Sequence, residues 1–217
     1  MLVLLPPSEG KSQPEAGEPV DLEALAFAAE LGRHRGEVLD ALDPKLREAP
    51  AAPAADVYTG VLFKRLELPR LPVKARRRVL IAGALWGVVR PDDRIPYYKL
   101  PPKEKLAGIG PLAKYWRPAL TEALPDEAGE LIVDMRSGAY STMWKPKRAT
   151  LLAVRAFSES DGKRRAVSHM AKAVRGDVAR ALLEAKKAPA DSEAAAAIAE
   201  AAGFTIELND GNLDVIV

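Results

Sequence analysis

The stretch Val79-Leu-Ile-Ala-Gly-Ala-Leu85, running straight into Trp86-Gly-Val-Val-Arg-Pro-Asp-Asp-Arg-Ile-Pro-Tyr-Tyr-Lys99, sets the frame of this chain. The first seven residues are apolar or small and can bury on both faces, the pattern of an interior strand. Gly87, Pro91 and Pro96 then forbid any long regular element. Trp86, Arg90, Asp92, Asp93, Arg94, Tyr97 and Tyr98 are therefore expected on one constrained loop. A loop this crowded with charges and aromatics reads as a site, with Arg90 its contact group and Trp86, Gly87 and Pro91 holding that arginine in place.

Working outward, three more apolar runs read as strands. Leu2 to Leu5 stops at Pro6-Pro7, Glu130 to Met135 leads into Arg136-Ser-Gly138, and Ala149 to Phe157 follows. Asp21 to Leu46 carries helical spacing punctuated by Gly32 and Gly36, which predicts two short helices. Glu48 to Ala55, with two prolines among alanines, is the linker candidate, and Asp56-Val-Tyr-Thr-Gly60 reads as a capped helix start or a tight turn. Gly108-Ile-Gly110 is either the hairpin of a helix-hairpin-helix element or a turn before an amphipathic helix ending near Leu124. Asp161-Gly-Lys163 suits a turn. A helix is expected over Arg165 to Lys187, with Val167, Met170, Val174, Val178 and Leu182 on one stripe. Ala188 to Ala202 reads as a helix capped by Gly203, and Phe204 to Leu208 and Leu213 to Val217 as a hairpin turning at Asn209-Asp-Gly-Asn212.

Composition removes whole classes of chemistry. The chain has 217 residues, 48% hydrophobic and 29% charged, enough for one domain over residues 1–217 with a sizeable core. Without cysteine there is no disulfide, thiolate metal site, thiol nucleophile or thiol sensor, although four methionines could oxidise. The two histidines, His34 and His169, fit no short metal-ligand spacing, so no metal or other cofactor is expected. No run is long enough to span a membrane, and Met1 to Leu5 lacks the features of a signal peptide, so the expected location is the cytoplasm.

Net charge is only +2, but it is unevenly placed. Between Pro14 and Ala49 nine acidic residues face four basic ones, whereas Trp144 to Lys187 holds twelve basic and four acidic. Such basic patches, with Lys74, Arg76, Arg77 and Arg78 as another, attract polyanions. The groups expected to hold nucleic acid or another anion are Ser8, Lys11, Arg90, Tyr97, Ser137, Tyr140, Lys145, Lys147, Arg148, Lys172, Arg175 and Gly176. Gly10-Lys11-Ser12 resembles the end of a phosphate loop, but Leu5 stands where its first glycine belongs, so it is no Walker motif. Tyr140, Lys145, Lys147 and Arg148 share the loop after a strand, where α/β folds often present binding groups. Lys172 and Arg175 are helical neighbours, and Gly176 in mid-helix marks the close approach of a ligand or of another backbone.

Five stretches in order resemble the peroxide stress protein YaaA family: Leu2 to Ser12, Asp56-Val-Tyr-Thr-Gly60, Gly83 to Tyr97, Lys114-Tyr-Trp116 and Lys172-Ala-Val-Arg-Gly176. The most distinctive is Gly83-Ala-Leu-Trp-Gly-Val-Val-Arg-Pro-Asp-Asp-Arg-Ile-Pro-Tyr97. The resemblance implies a mixed α/β (α+β) fold, a single compact domain with a central mixed sheet flanked by helices and a positively charged cleft. It implies an intracellular protein tied to surviving hydrogen peroxide by limiting free iron, and DNA as a partner. Matching family positions are Ser8, Tyr58, Gly60, Trp86, Gly87, Arg90, Pro91, Tyr97, Trp116, Ser137, Tyr140, Lys145, Lys172, Arg175 and Gly176. Longer members carry an N-terminal helical region that here is short and acidic, which weakens any phosphate contact at that surface.

Two functions follow as expectations. In the first, a cytoplasmic protein of the peroxide response binds DNA through backbone charge, without sequence readout, and limits iron-driven damage indirectly. In the second, an enzyme acts on a phosphate- or carboxylate-bearing small molecule in the same cleft, with Lys11, Arg90, Lys145, Lys172 and Arg175 on the oxyanions and Asp92 or Asp134 as base. Direct iron storage is disfavoured by the missing thiolates and scarce histidines.

Overall fold

In the computed structural model, which describes all residues except 102–103, 137, 161–162 and 168–169, the first apolar run forms β1 (Leu2–Leu5). One 15-residue helix, α1 (Ala28–Leu42), follows where two short ones were expected. Each internal glycine costs about 1 kcal/mol against alanine, but Arg35 between Gly32 and Gly36 is fully buried and hydrogen-bonded, which anchors that face. The expected linker is instead β2 (Ala51–Pro53) and α2 (Ala54–Val57), because Ala51, Ala54 and Ala55 are small enough to pack into the interior. Then come α3 (Val61–Leu66), α4 (Val73–Arg76), β3 (Val79–Gly83), β4 (Gly87–Val89) and β5 (Arg94–Pro96), the last paired with β2.

The Gly108-Ile-Gly110 turn joins two short strands, β6 (Lys105–Leu106) and β7 (Gly110–Pro111), so of the two readings the turn before a helix holds; that helix is α5 (Leu112–Ala123). Next are β8 (Leu131–Asp134), β9 (Thr150–Ser160) and β10 (Lys163–Ala166). The start of the expected 165–187 helix is thus a strand, and α6 spans Ala171–Glu184. Cross-strand pairing explains the difference: Arg164 stands opposite Glu159 and bonds it, and it also binds Glu207. Val167 and Met170 therefore leave the helical stripe, while Val174, Val178 and Leu182 remain buried on it. The chain closes with α7 (Ser192–Ala201), β11 (Thr205–Asn209) and β12 (Asn212–Ile216); Asp191 caps α7 by accepting from the Ala194 amide. The turn expected at Asp161-Gly-Lys163 lies mostly outside the described residues.

The central mixed sheet runs β11-β12-β9-β8-β1-β3-β4, with β10 beside β9. Neighbours β12, β9, β8, β1 and β3 are parallel, whereas β4, β10 and β11 are antiparallel to their partners. Interior strands β1, β3 and β8 bury nearly every residue, as runs apolar on both faces must. Helices flank the sheet: α5 packs on α1 and β4, and α6 packs on α3, α7 and β9.

The loop after β3 is a tight hairpin clamped by two helices. Trp86 is fully buried, Arg35 of α1 donates to the carbonyls of Trp86 and Val88, and Trp116 of α5 donates to that of Ala84. Gly87 has φ +67, and a Cβ there would sit 2.7 Å from the Trp116 ring. Trp86 and Gly87 are therefore core-building residues.

Candidate functional site

In an open parallel sheet, ligands bind beyond the carboxyl ends of the strands where the strand order reverses. Here the chain steps from β1 to β3 on one side and later adds β8 and β9 on the other, so the reversal lies between β1 and β8. The loops leaving those two strands carry Ser8, Lys11, Arg136 and Tyr140.

Pro6-Pro7 force the chain out of the sheet, and Ser8 then fixes the loop by accepting at Oγ from the Gly60 amide, 2.7 Å away. A Cβ on Gly60 would overlap that hydroxyl, so a larger residue there displaces the Ser8 side chain from its bond. The Lys11 ammonium folds back to donate to the Ser8 carbonyl at 2.6 Å. It lies 4.6 Å above the Tyr98 ring centre and 5.7 Å above that of Tyr58. Those two phenols bond each other at 2.8 Å beneath it, next to Gly83 at the end of β3. Burial holds Lys11 below the usual lysine range against the opposing pull of Glu9. Burial also pushes Tyr58 and Tyr98 well up, which keeps both protonated.

Across the reversal, Arg136 is locked in a buried pair with Asp134, with Nε–Oδ1 at 2.8 Å, and it also donates to the carbonyls of Tyr140 and Trp144. That network shapes the loop and takes Asp134 out of play as a base. The Tyr140 hydroxyl is pushed up to about 12 by burial, with the charge of Glu9 adding. From α6, Lys172 reaches Glu9 at 3.2 Å and so ties the helix to the Ser8 loop. One turn on, half-buried Arg175 donates from Nε to the Val154 carbonyl. Burial lowers its pKa, opposed by Asp134.

Ser8, Lys11, Tyr140, Lys172 and Arg175 thus lie along the carboxyl edge; the other expected groups stand elsewhere. Arg90 follows β4, which runs back toward the amino ends, and its guanidinium donates to the Arg77 carbonyl at 2.5 Å and lies over Phe27. It braces the fold at the opposite edge, and Asp92 beside it pairs with Arg76. Tyr97 is half-buried, while its neighbour Tyr98 supplies the ring under Lys11. At Gly176 the close approach is helix packing: a Cβ would lie 2.5 Å from the Leu62 carbonyl of α3. Lys145 and Lys147 join Arg117, Thr121 and Thr142 around a separate cavity of about 310 Å³. Exposed Arg148 sits beside Asp126, which accepts from the amides of Lys147, Arg148 and Ala149. Ser137 and His169 lie outside the described residues.

Sequence reasoning placed Tyr98 on the site loop but chose Tyr97 as the binding group, and it missed Arg136 and Arg117. Alternation from buried Ile95 favours Tyr97, but β5 ends at Pro96 and the period breaks there. An arginine two residues after a strand aspartate was the available signal for the Asp134–Arg136 lock. Among the described residues no group of three His, Cys, Asp or Glu side chains is placed to hold a metal ion, and no helix is long and apolar enough to cross a membrane.

A family model described as peroxide stress protein YaaA matches residues 1–208. Similar proteins include a UPF0246 protein of Streptomyces coelicolor, 38% identical over 87% of this chain and 85% of its own length. A UPF0246 protein of Corynebacterium efficiens is 36% identical over 100% of this chain and 98% of its own. An uncharacterized protein of Campylobacter jejuni is 28% identical over 81% and 82% of the two chains.

Proposed function

Because the chain belongs to the peroxide stress protein YaaA family, we propose that it serves the oxidative stress response as a cytoplasmic protein that binds DNA without sequence readout. The observation that carries this reading is the cavity of Arg117, Lys145 and Lys147, which has no carboxylate among its lining residues. Elsewhere arginines are largely consumed by ion pairs, as with Arg47 and Asp40, Arg65 and Asp177, or Arg180 and Glu184. Arg117, Lys145, Lys147, Lys163 and Arg165 form no ion pair among the described residues, which leaves them to replace counterions on a phosphate backbone. Its effect on iron-driven damage is then indirect, through the DNA it covers. Gel retardation of a random-sequence duplex tests this: we expect a shift at low salt that fades as salt rises and is indifferent to sequence. No shift at low salt overturns it.

A second reading draws on the carboxyl-edge cluster, in which Lys11, Tyr140 and Arg175 are half-buried. Ser8, Lys11, Tyr140 and Arg175 there suit a small carboxylate- or phosphate-bearing molecule. A rise in thermal midpoint with such an anion, lost in Arg175→Met, is the expected result.

A further inference from the structure

We infer that Glu207, although acidic, is a positioning residue for polyanion binding: through Arg164 it holds β10 in the orientation that presents Lys163 and Arg165 to a phosphate backbone. This rests on the DNA-binding reading and adds to it a residue whose own charge opposes that binding.

β10 has little of its own to fix it. Every residue of it is exposed, so no apolar burial seats it on the sheet. The ladder of β8 on β9 stops at Ala153 and that of β12 at Phe157, so from Ser158 to Ser160 β9 pairs with β10 alone. Two strands by themselves are marginal in water. Among the described residues one side chain ties β10 to a strand other than β9. Arg164 donates from Nη1 to one oxygen of Glu207 at 2.7 Å and from Nη2 to the other, while its Nε donates to Glu159 at 3.1 Å. A bidentate pair of guanidinium and carboxylate fixes direction as well as distance. The far end of this clamp is anchored, because Glu207 lies within β11, which pairs along β12 and packs against α7.

The register shows what the clamp turns outward. Residues directly opposite across an antiparallel pair share a face of the sheet, and successive residues alternate between faces. Arg164 stands opposite Glu159, so both belong to the face of Arg155 and Asp214, which pair with each other. Lys163 and Arg165 stand opposite Ser160 and Ser158 and so lie on the other face, that of Val154 and Ala156, which are buried where α6 packs on β9. Neither forms an ion pair among the described residues. All three guanidinium nitrogens of Arg164 are thus engaged on one face, and the two open cations stand on the opposite one. Without the Glu207 charge, β10 keeps its ladder to β9 but loses its tie to β11. Its cations then sample more directions, and ordering them on a ligand costs affinity.

The test compares the affinity of the full chain and of its Glu207→Gln variant for a random-sequence duplex at fixed salt, with Glu200→Gln as the reference. Both substitutions remove one negative charge, and Glu200, exposed on α7, forms no ion pair among the described residues. Charge alone predicts tighter binding for each. The expected result is tighter binding for Glu200→Gln but about threefold weaker binding for Glu207→Gln, the scale of one exposed ion pair. Arg164→Gln should also weaken binding, and adding Glu207→Gln to it should weaken it no further, because the clamp is already open. Amide exchange in β10 gives a readout free of DNA: it should quicken in Glu207→Gln and not in Glu200→Gln. Binding by Glu207→Gln equal to or tighter than that of the wild type overturns the inference and leaves DNA binding standing. Weakening of the same size in Glu200→Gln, or weaker binding with unchanged exchange in β10, overturns it as well. If the wild type does not bind the duplex at low salt, both readings fall.

Discussion

Gly176 and Gly87 show how a single missing methyl group holds this molecule together. In an ordinary helix Gly→Ala is favourable by about 1 kcal/mol, but at Gly176 the new Cβ would press on the Leu62 carbonyl at 2.5 Å and the Arg65 Cβ at 2.8 Å. Backbone cannot yield cheaply, and overpacking costs about 1–3 kcal/mol. Gly176→Ala should therefore be net destabilising, by about 1 kcal/mol, in urea unfolding; a higher midpoint would show that α3 and α6 are not in contact. Gly87→Ala should cost more, about 3 kcal/mol, because left-handed strain adds to the clash with Trp116. Equal effects of the two substitutions would contradict the clamp on the hairpin. Arg90 carries the opposite lesson. Its charge and setting read as a contact group, yet its partner is the Arg77 carbonyl. Which end of the sheet a loop arginine occupies depends on strand direction, and no local pattern announced that β4 turns back.

At the scale of elements, β1, β3 and β8 were legible because a strand buried on both faces must be apolar throughout, and β9 because its apolar residues alternate between buried and half-buried. The split of residues 163–187 into β10 and α6 was not, because β10 is held by pairing with β9 rather than by its own composition; every residue of it is exposed. The carboxyl-edge groups Ser8, Lys11, Tyr140, Lys172 and Arg175 were each identified from sequence, but their placement along one edge depends on strand order, which sequence patterns do not carry. The connection into β9 depends on Asp126, whose carboxyl is held below its ordinary range by the amide of Ala149, with those of Lys147 and Arg148 adding. A carboxylate depressed in the folded state contributes stability that is present above its unfolded pKa, about 4, and lost as pH falls through the lower folded value. Unfolding midpoints of the wild type should thus drop below about pH 4. Asp126→Asn, which cannot titrate, should be less stable at neutral pH and flatter across that acid range. Parallel acid limbs in the two proteins would contradict this cap.

Over the whole molecule, a net charge of +2 conceals a division between neutralised and open surfaces. In the acidic N-terminal stretch Glu37 pairs with Arg33 and Asp40 with Arg47, whereas Lys145 and Lys147 form no ion pair among the described residues. They precede β9, whereas Lys163 and Arg165 lie at its far end, opposite Ser160 and Ser158. At ~3.3 Å per residue the two patches are roughly 26 Å apart along the strand, a span within one turn of duplex, about 34 Å. The central claim, that these open cations bind the phosphate backbone, is tested most directly by the slope of log affinity against log salt for a random duplex. We predict that Lys145→Ala with Lys147→Ala makes that slope shallower by about 2, close to one unit for each phosphate no longer neutralised, and weakens binding equally for all sequences. An unchanged slope, or a weakening confined to particular sequences, would contradict it.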